Sequence, residues 1–237
     1  MILEFKKSGE TMDTFIKNIK IKYNNVKIAY TARLDPMAQG IVPILFNEEC
    51  KLMSAYLNKN KIYRVKIIEG LKTDTDDPLG LFINMKQTSL ERDVNMDDNT
   101  LPIDNNEFNS NNVSLEQKYH YYSTKEINKR RRNILGQSTH SVYIYKCHIV
   151  SEGTYNSNDL ACNIINTISN IDKTKNFRQK EIIEQWENIK NNNVIYKYYE
   201  LEINVSSGFF IRQFCQDISN KYNINLMCMD INRISIY

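Results

Sequence analysis

Strand-like alternation and helix-like periodicity follow one another along this chain without a regular beat, and that irregularity limits its fold more than any single motif. Residues 61–68 and 199–205 alternate polar and apolar side chains, and residues 142–150 are a third strand candidate. The apolar run at 41–46 fits a buried strand, with Pro43 arguing for an edge or a bulge. Helical spacing brings Phe15, Ile16, Ile19 and Tyr23 to one face of residues 12–27, with a cap among residues 8–11. A short helix is expected at 50–57 and another at 177–189, where Ile182, Ile183, Trp186 and Ile189 share a side. After the turn Ser206-Ser207-Gly208, residues 209–222 read as a helix with Ile211, Phe214, Cys215 and Ile218 inward, and 231–237 as a last short strand. A doubly wound fold needs a strict strand–helix rhythm, so the pattern predicts a chain of the α+β class.

With 237 residues, one large domain or two small ones can bury a substantial core. One domain is expected over 1–237, with a polar Asn-, Asp- and Ser-rich loop at 84–116 and an insertion at 151–197, of which 151–176 is weakly patterned. A formal charge of +3 leaves any nucleic-acid partner to a local patch. The five cysteines are odd in number and none sits in a C-x-x-C pair, which predicts reduced thiols in a cytosolic-type compartment. The three histidines have no ligand spacing, so no metal is expected. Neither a leader-like segment nor an apolar run of membrane-spanning length is seen, so a cytoplasmic protein is expected, with nucleus or organelle left open.

The segment that carries chemistry is Thr31-Ala32-Arg33-Leu34-Asp35-Pro36-Met37-Ala38-Gln39-Gly40. It sets a carboxylate on a loop between a helix and an apolar strand, and Pro36 holds Asp35 to extended geometry. Alone, an Asp-Pro pair is an ordinary turn. Tyr63 alone is an ordinary core tyrosine, and Arg212 alone can serve a structural carboxylate.

Several such words stand in one order, and that order resembles the TruB family of tRNA pseudouridine synthases. The family's G-H-T-G-x-L-D-P-x-A-x-G is similar to residues 29–40, followed by Ile41-Val42-Pro43. Its K-x-Y-R matches Lys61-Ile62-Tyr63-Arg64, and its T-D-T-x-D-x-x-G matches Thr73-Asp74-Thr75-Asp76-Asp77-Pro78-Leu79-Gly80. Q-x-P-P-x-Y-S-A resembles Gln117-Lys118-Tyr119-His120-Tyr121-Tyr122-Ser123-Thr124, and S-x-G-T-Y-I-R matches Ser206-Ser207-Gly208-Phe209-Phe210-Ile211-Arg212. The resemblance covers most of residues 3–83, 117–150 and 198–237.

The resemblance implies the pseudouridine synthase fold, an α+β fold with a mixed, mainly antiparallel sheet flanked by helices, and a cofactor-free isomerase that turns a flipped-out uridine into pseudouridine, with the T-loop uridine of tRNA (U55) as target. It implies Asp35 as nucleophile, Arg212 paired with it and favouring its charged form, and Tyr63 stacking on the base and assisting proton removal. Tyr30, Phe210 and Ile231 fall at substrate-binding positions, and the run Lys129, Arg130, Arg131 and Arg132 is a candidate phosphate clamp. RNA, as tRNA, is the expected partner of a monomer, with no membrane and no metal.

The departures concern RNA recognition more than chemistry. The family's His is Tyr30, its Tyr is Phe210, and its two prolines are Tyr119 and His120. No PUA domain of the kind the family has at its C-terminus is expected here, and the helical stretch before Val142 is expected to be trimmed. Alternative readings are a synthase acting on another structured RNA, a lapsed RNA-binding or RNA-folding protein, and a guide-dependent synthase of the dyskerin type. Asp35, Tyr63 and Arg212 together favour the enzyme.

Overall fold

A computed structural model of the chain describes residues 1–83, 110–122 and 138–237. Within them, eight strands form one sheet in the order β1-β3-β8-β4-β7-β6-β5, with β2 also on β3. The strands are β1 (Ile2–Lys6), β2 (Ile28–Tyr30), β3 (Gln39–Phe46), β4 (Lys61–Glu69), β5 (Asn111–Lys118), β6 (Thr139–Asn156), β7 (Ile195–Val205) and β8 (Leu226–Ile236). Every pairing is antiparallel except β3 with β8, so the α+β expectation holds. The helices are α1 (Met12–Lys22), α2 (Met53–Leu57, after a tight turn at Asn47–Leu52), α3 (Ser157–Ser169), α4 (Gln179–Lys190) and α5 (Ile211–Tyr222). None of the helices is long and apolar enough to cross a membrane.

The strand pattern explains the core. On β4, Tyr63, Val65 and Ile67 are buried and point one way, against Phe15 and Ile19 of α1 and Phe214 and Ile218 of α5. Helix α1 is shorter than its apolar stripe suggested, but its cap is within the expected window: the Thr11 side chain accepts from Thr14 N. Pro43 sits inside a strand with partners on both flanks. On one of them β8 pairs at Gln39 and Gly40 and β2 pairs from Ile44 onward, so 41–43 lie in a gap where β3 is locally an edge. Gly40 marks where β3 and β8 touch. Its φ is +126°, and a Cβ there would lie 2.4 Å from Arg233 O.

Three expectations need correction. Residues 111–116 are not loop but belong to β5, which pairs antiparallel with β6 and has only two apolar side chains, the partly buried Val113 and Leu115. Residues 151–176, weakly patterned in sequence, take up regular structure over most of their length: β6 continues to Asn156, whose side chain caps α3 by accepting from Asp159 N. The last strand begins at Leu226, five positions earlier than its sequence signal. Residues 84–109 and the basic run Lys129, Arg130, Arg131 and Arg132 lie outside the described residues.

Helices α3 and α4 enclose a second apolar cluster with Leu160, Ile164, Ile168, Ile182, Trp186 and Ile189, joined by Met37, Ile68, Leu71, Leu79 and Met227. Met37 comes from the loop of Asp35 and Leu79 from the 73–80 turn, so the segment expected as an insertion supports both loops that build the site. Trp186 Nε1 donates to Pro78 O at 3.2 Å, and Arg178 grips Asp74 with contacts of 2.6 and 3.1 Å.

Candidate active site

The loop that carries Asp35 is held almost entirely through its carbonyls. Lys6, from the end of β1, sends its ammonium to Asp35 O at 3.0 Å, Pro36 O at 3.4 Å and Ala38 O at 2.7 Å. Arg233, from β8, donates to Ala32 O, Arg33 O and Ile41 O at 3.1, 3.2 and 2.8 Å. Ser8 takes Met37 O, and Gly9 N takes Pro36 O. A loop with so many carbonyls claimed has little freedom, and the Asp35 side chain therefore has a fixed aim. Burial pushes the Lys6 ammonium down to about 8, against the opposing pull of Glu10 and Asp35.

Residues 73–80 make the facing wall. Thr75 Oγ1 and Leu79 N both donate to Asp77 Oδ1, at 2.8 and 2.9 Å, and Thr73 Oγ1 donates to Asp77 O at 2.6 Å. This is the side chain-to-backbone turn chemistry that Asp and Thr favour. The turn closes so tightly that a Cβ on Gly80 would lie 2.4 Å from Thr75 Oγ1. Asp76 adopts φ +56°, a left-handed geometry that Asp tolerates better than most residues.

Arg212 enters from the first turn of α5, directed by the Ser206-Ser207-Gly208 turn. Gln117 of β5 grips the preceding residue from both sides, accepting from Phe210 N at 2.8 Å and donating to Phe210 O at 3.0 Å. The guanidinium reaches Asp35 Oδ2 at 2.8 Å and Asp77 Oδ2 at 3.3 Å. It also donates to Thr75 O at 2.9 Å and Tyr122 O at 3.3 Å. Burial works against its charge, but Asp35 and Asp77 outweigh burial and raise its pKa. Asp77 is buried, and burial raises its carboxyl pKa despite the adjacent guanidinium.

A cavity of about 140 Å³ opens beside this ion pair. For scale, a cavity of roughly 150 Å³ takes a benzene ring. Leu34, Ala38, Phe209, Ile211 and Ile231 give it apolar walls; Asp35, Tyr63, His120 and Arg212 give it polar ones; Arg33 and Phe210 complete the lining. The Asp35 side chain keeps 24% exposure while that of Arg212 keeps 8%, so the carboxylate is the more accessible of the two.

Among the sequence candidates, the fold brings Asp35, Tyr63, Arg212, Phe210 and Ile231 around this one cavity. Tyr30 is not brought there: it is half-buried and packs against the main core. The four consecutive basic residues lie outside the described residues. Sequence reading named His120 only as a departure from the motif and gave no role to Lys6, Asp77, Gln117 or Arg233. Asp77 and Gln117 stood inside quoted motifs and were not singled out. Lys6 and Arg233 carried no signal, since their partners lie up to about two hundred positions away. Among the described residues no cluster of His, Cys, Asp and Glu is arranged to hold a metal ion.

Comparison with known proteins bears on this arrangement. The model of the TruB family pseudouridylate synthases (N-terminal domain) matches residues 20–132. A tRNA pseudouridine synthase B from Clostridium kluyveri is 24% identical over 230 residues, covering 97% of this chain and 64% of that protein. Its namesake from Tolumonas auensis is 33% identical over 93 residues, which is 39% of this chain and 29% of that protein. The chain thus spans less than two thirds of the length of these curated relatives. A solved H/ACA RNP bound to a substrate RNA containing 2′-deoxyuridine aligns at a TM-score of 0.49 and 11% identity, covering 98% of this chain and 45% of that one.

Proposed function

Since the chain is a divergent member of the TruB family of pseudouridylate synthases, we propose that it isomerises a uridine in RNA to pseudouridine, and that this uridine lies in the T-loop of tRNA. The observation that carries the reading is the Asp35–Arg212 ion pair, at 2.8 Å, on the wall of a cavity that fits one pyrimidine ring.

The reaction needs no redox partner and loses no atoms. The target nucleotide is flipped out of the RNA, at a cost of a few kcal/mol, into the cavity. Asp35 attacks the sugar C1′; the N1–C1′ bond breaks and its electron pair leaves with the base. The base turns in place, C5 bonds to C1′, and the Asp35 carboxylate departs. The proton on C5 is then removed and N1 gains one, which restores the aromatic ring. Arg212 holds Asp35 at its station through the first two steps. Tyr63, buried beside the cavity, supplies a ring against the base and an oxygen for the proton transfer. Phe210 offers a stacking face without a hydroxyl, and Ile231 limits how far the base can travel.

The test is a tRNA transcript incubated with wild-type protein and with Asp35→Asn. Wild type should form pseudouridine in the T-loop, and Asp35→Asn should form none while binding the RNA about as well. Wild type that binds the transcript and leaves every uridine unchanged would instead mark an RNA-binding protein.

A further inference from the structure

Outside the Asp35–Arg212 pair, the most unusual feature at the cavity wall is a His–carboxylate contact. His120 stands where the resembling motif has proline, and Asp76 fills the variable position of the other motif. Their side chains, 3% and 2% exposed, meet at 3.1 Å between His120 Nε2 and Asp76 Oδ2. Tyr122 N donates to His120 Nδ1 at 3.3 Å. A backbone N–H can only donate, so Nδ1 accepts, and the ring proton sits on Nε2 and is given to Asp76. Gln216 Nε2, from α5, donates to the same Asp76 oxygen at 3.1 Å. The Asp76 carbonyl in turn accepts from Cys228 N of β8 at 3.0 Å.

Two of the four acceptors that hold Arg212 are carbonyls, Thr75 O and Tyr122 O. Thr75 is next to Asp76 in the chain, and Tyr122 is the residue whose N–H reaches His120. The Asp76–His120 contact therefore ties together the two segments whose carbonyls aim the guanidinium. Stability alone is a poor reason for the contact. Burying such a pair costs desolvation that well-packed apolar side chains would avoid, and Asp76 Oδ1 is buried with no hydrogen-bond partner.

We propose that Asp76 and His120 are a positioning pair for Arg212, fixing the Thr75 and Tyr122 carbonyls so that the guanidinium holds Asp35 in the attacking geometry. This rests on the reading of Asp35 and Arg212 as the reacting ion pair. His120 itself has both ring nitrogens engaged and does not act on the base.

The experiment measures two independent quantities in His120→Ala, His120→Gln and Asp76→Asn. One is the single-turnover rate on a tRNA transcript together with its binding constant. The other is the nitrogen NMR signal of the Arg212 guanidinium, assigned by its loss in Arg212→Lys, whose resolved terminal nitrogens report a locked group. His120→Ala should slow turnover by on the order of tenfold to a hundredfold, leave RNA binding within about twofold, and merge the Arg212 signals. His120→Gln offers one donor and one acceptor and should recover most of both. If His120→Ala does not fold, Asp76→Asn, which keeps the shape and loses the charge, should show the same two changes in smaller measure. A wild-type rate with unchanged Arg212 signals in the folded variants would overturn the proposal, and so would His120→Gln being as defective as His120→Ala. If wild-type protein forms no pseudouridine while His120→Ala still frees Arg212, the positioning pair stands and the reaction reading fails.

Discussion

The loop of Asp35 lies between two groups of buried cations that differ in what they touch. On the cavity side, Arg212 meets two carboxylates, Asp35 and Asp77, as well as two carbonyls. Behind the loop, Lys6 donates to backbone carbonyls, and Arg233 to backbone carbonyls and the Tyr63 side chain; among the described residues neither pairs with a carboxylate. The difference separates two tasks. A cation on carbonyls fixes the path of the chain and leaves the side chains free. A cation on a carboxylate fixes the reactive group itself and stabilises its charge. Burial also treats the two groups differently: it lowers the Lys6 and Arg233 pKa values, while the acids around Arg212 reverse that pressure and raise it.

The largest effect should come from breaking the cavity-side cation. Arg212→Met removes the partner of the buried Asp77 and should cost about 3–5 kcal/mol of stability and abolish turnover. The stability loss should shrink as pH falls from 7 toward 4, measured by urea unfolding. The sign follows from Asp77, whose folded-state pKa burial already raises. Without Arg212 that rise is unopposed. The folded variant then takes up a proton before the unfolded chain does, and gains stability relative to it as pH drops. Arg233→Met should cost less, about 1–3 kcal/mol for carbonyls left without a donor, and its cost should stay flat over the same pH range. A pH-dependent cost for Arg233→Met, or a flat one for Arg212→Met, would erase the distinction between the two groups.

This contrast also explains what could be read beforehand. Asp35, Tyr63 and Arg212 stood in motifs whose order survives in the sequence, and β4, β7 and α5 announced themselves by clean periodicity. The cations behind the loop did not, because Lys6 and Arg233 belong to strands where a charge ordinarily faces solvent, and only tertiary pairing shows otherwise. Helix α3 has apolar side chains at Leu160, Ile164 and Ile168, spaced four apart. Asn and Thr between them, and Ser and Asp at the helix ends, blurred the signal, since those residues compete with helical backbone bonds. Strand β5 was hidden because most of its side chains are polar and, among the described residues, one of its flanks has no partner strand. The meeting of Asp76 with His120 spans 44 positions and leaves no periodic trace.

The smallest and most discriminating effect belongs to Lys6. Its ammonium titrates near 8 in the folded chain against an ordinary value of 10.5, chiefly because it is buried. Between those two values the unfolded chain still holds the proton that the folded chain has released, so unfolding takes up protons and stability rises with pH. Below pH 8 both states are protonated and this contribution is level. The whole rise is at most about 3 kcal/mol. Lys61 is lowered to about 8 by the same cause and adds a rise of the same sign, so wild type alone cannot isolate Lys6. Subtracting the stability of Lys6→Met cancels Lys61, and the difference between wild type and variant should climb from pH 8 to 10.5. A difference that stays level or falls across that window would mean that the carbonyl cage compensates the buried charge fully. Lys6 would then belong with Arg212, and contact with carbonyls would suffice to do what the carboxylates do on the cavity side.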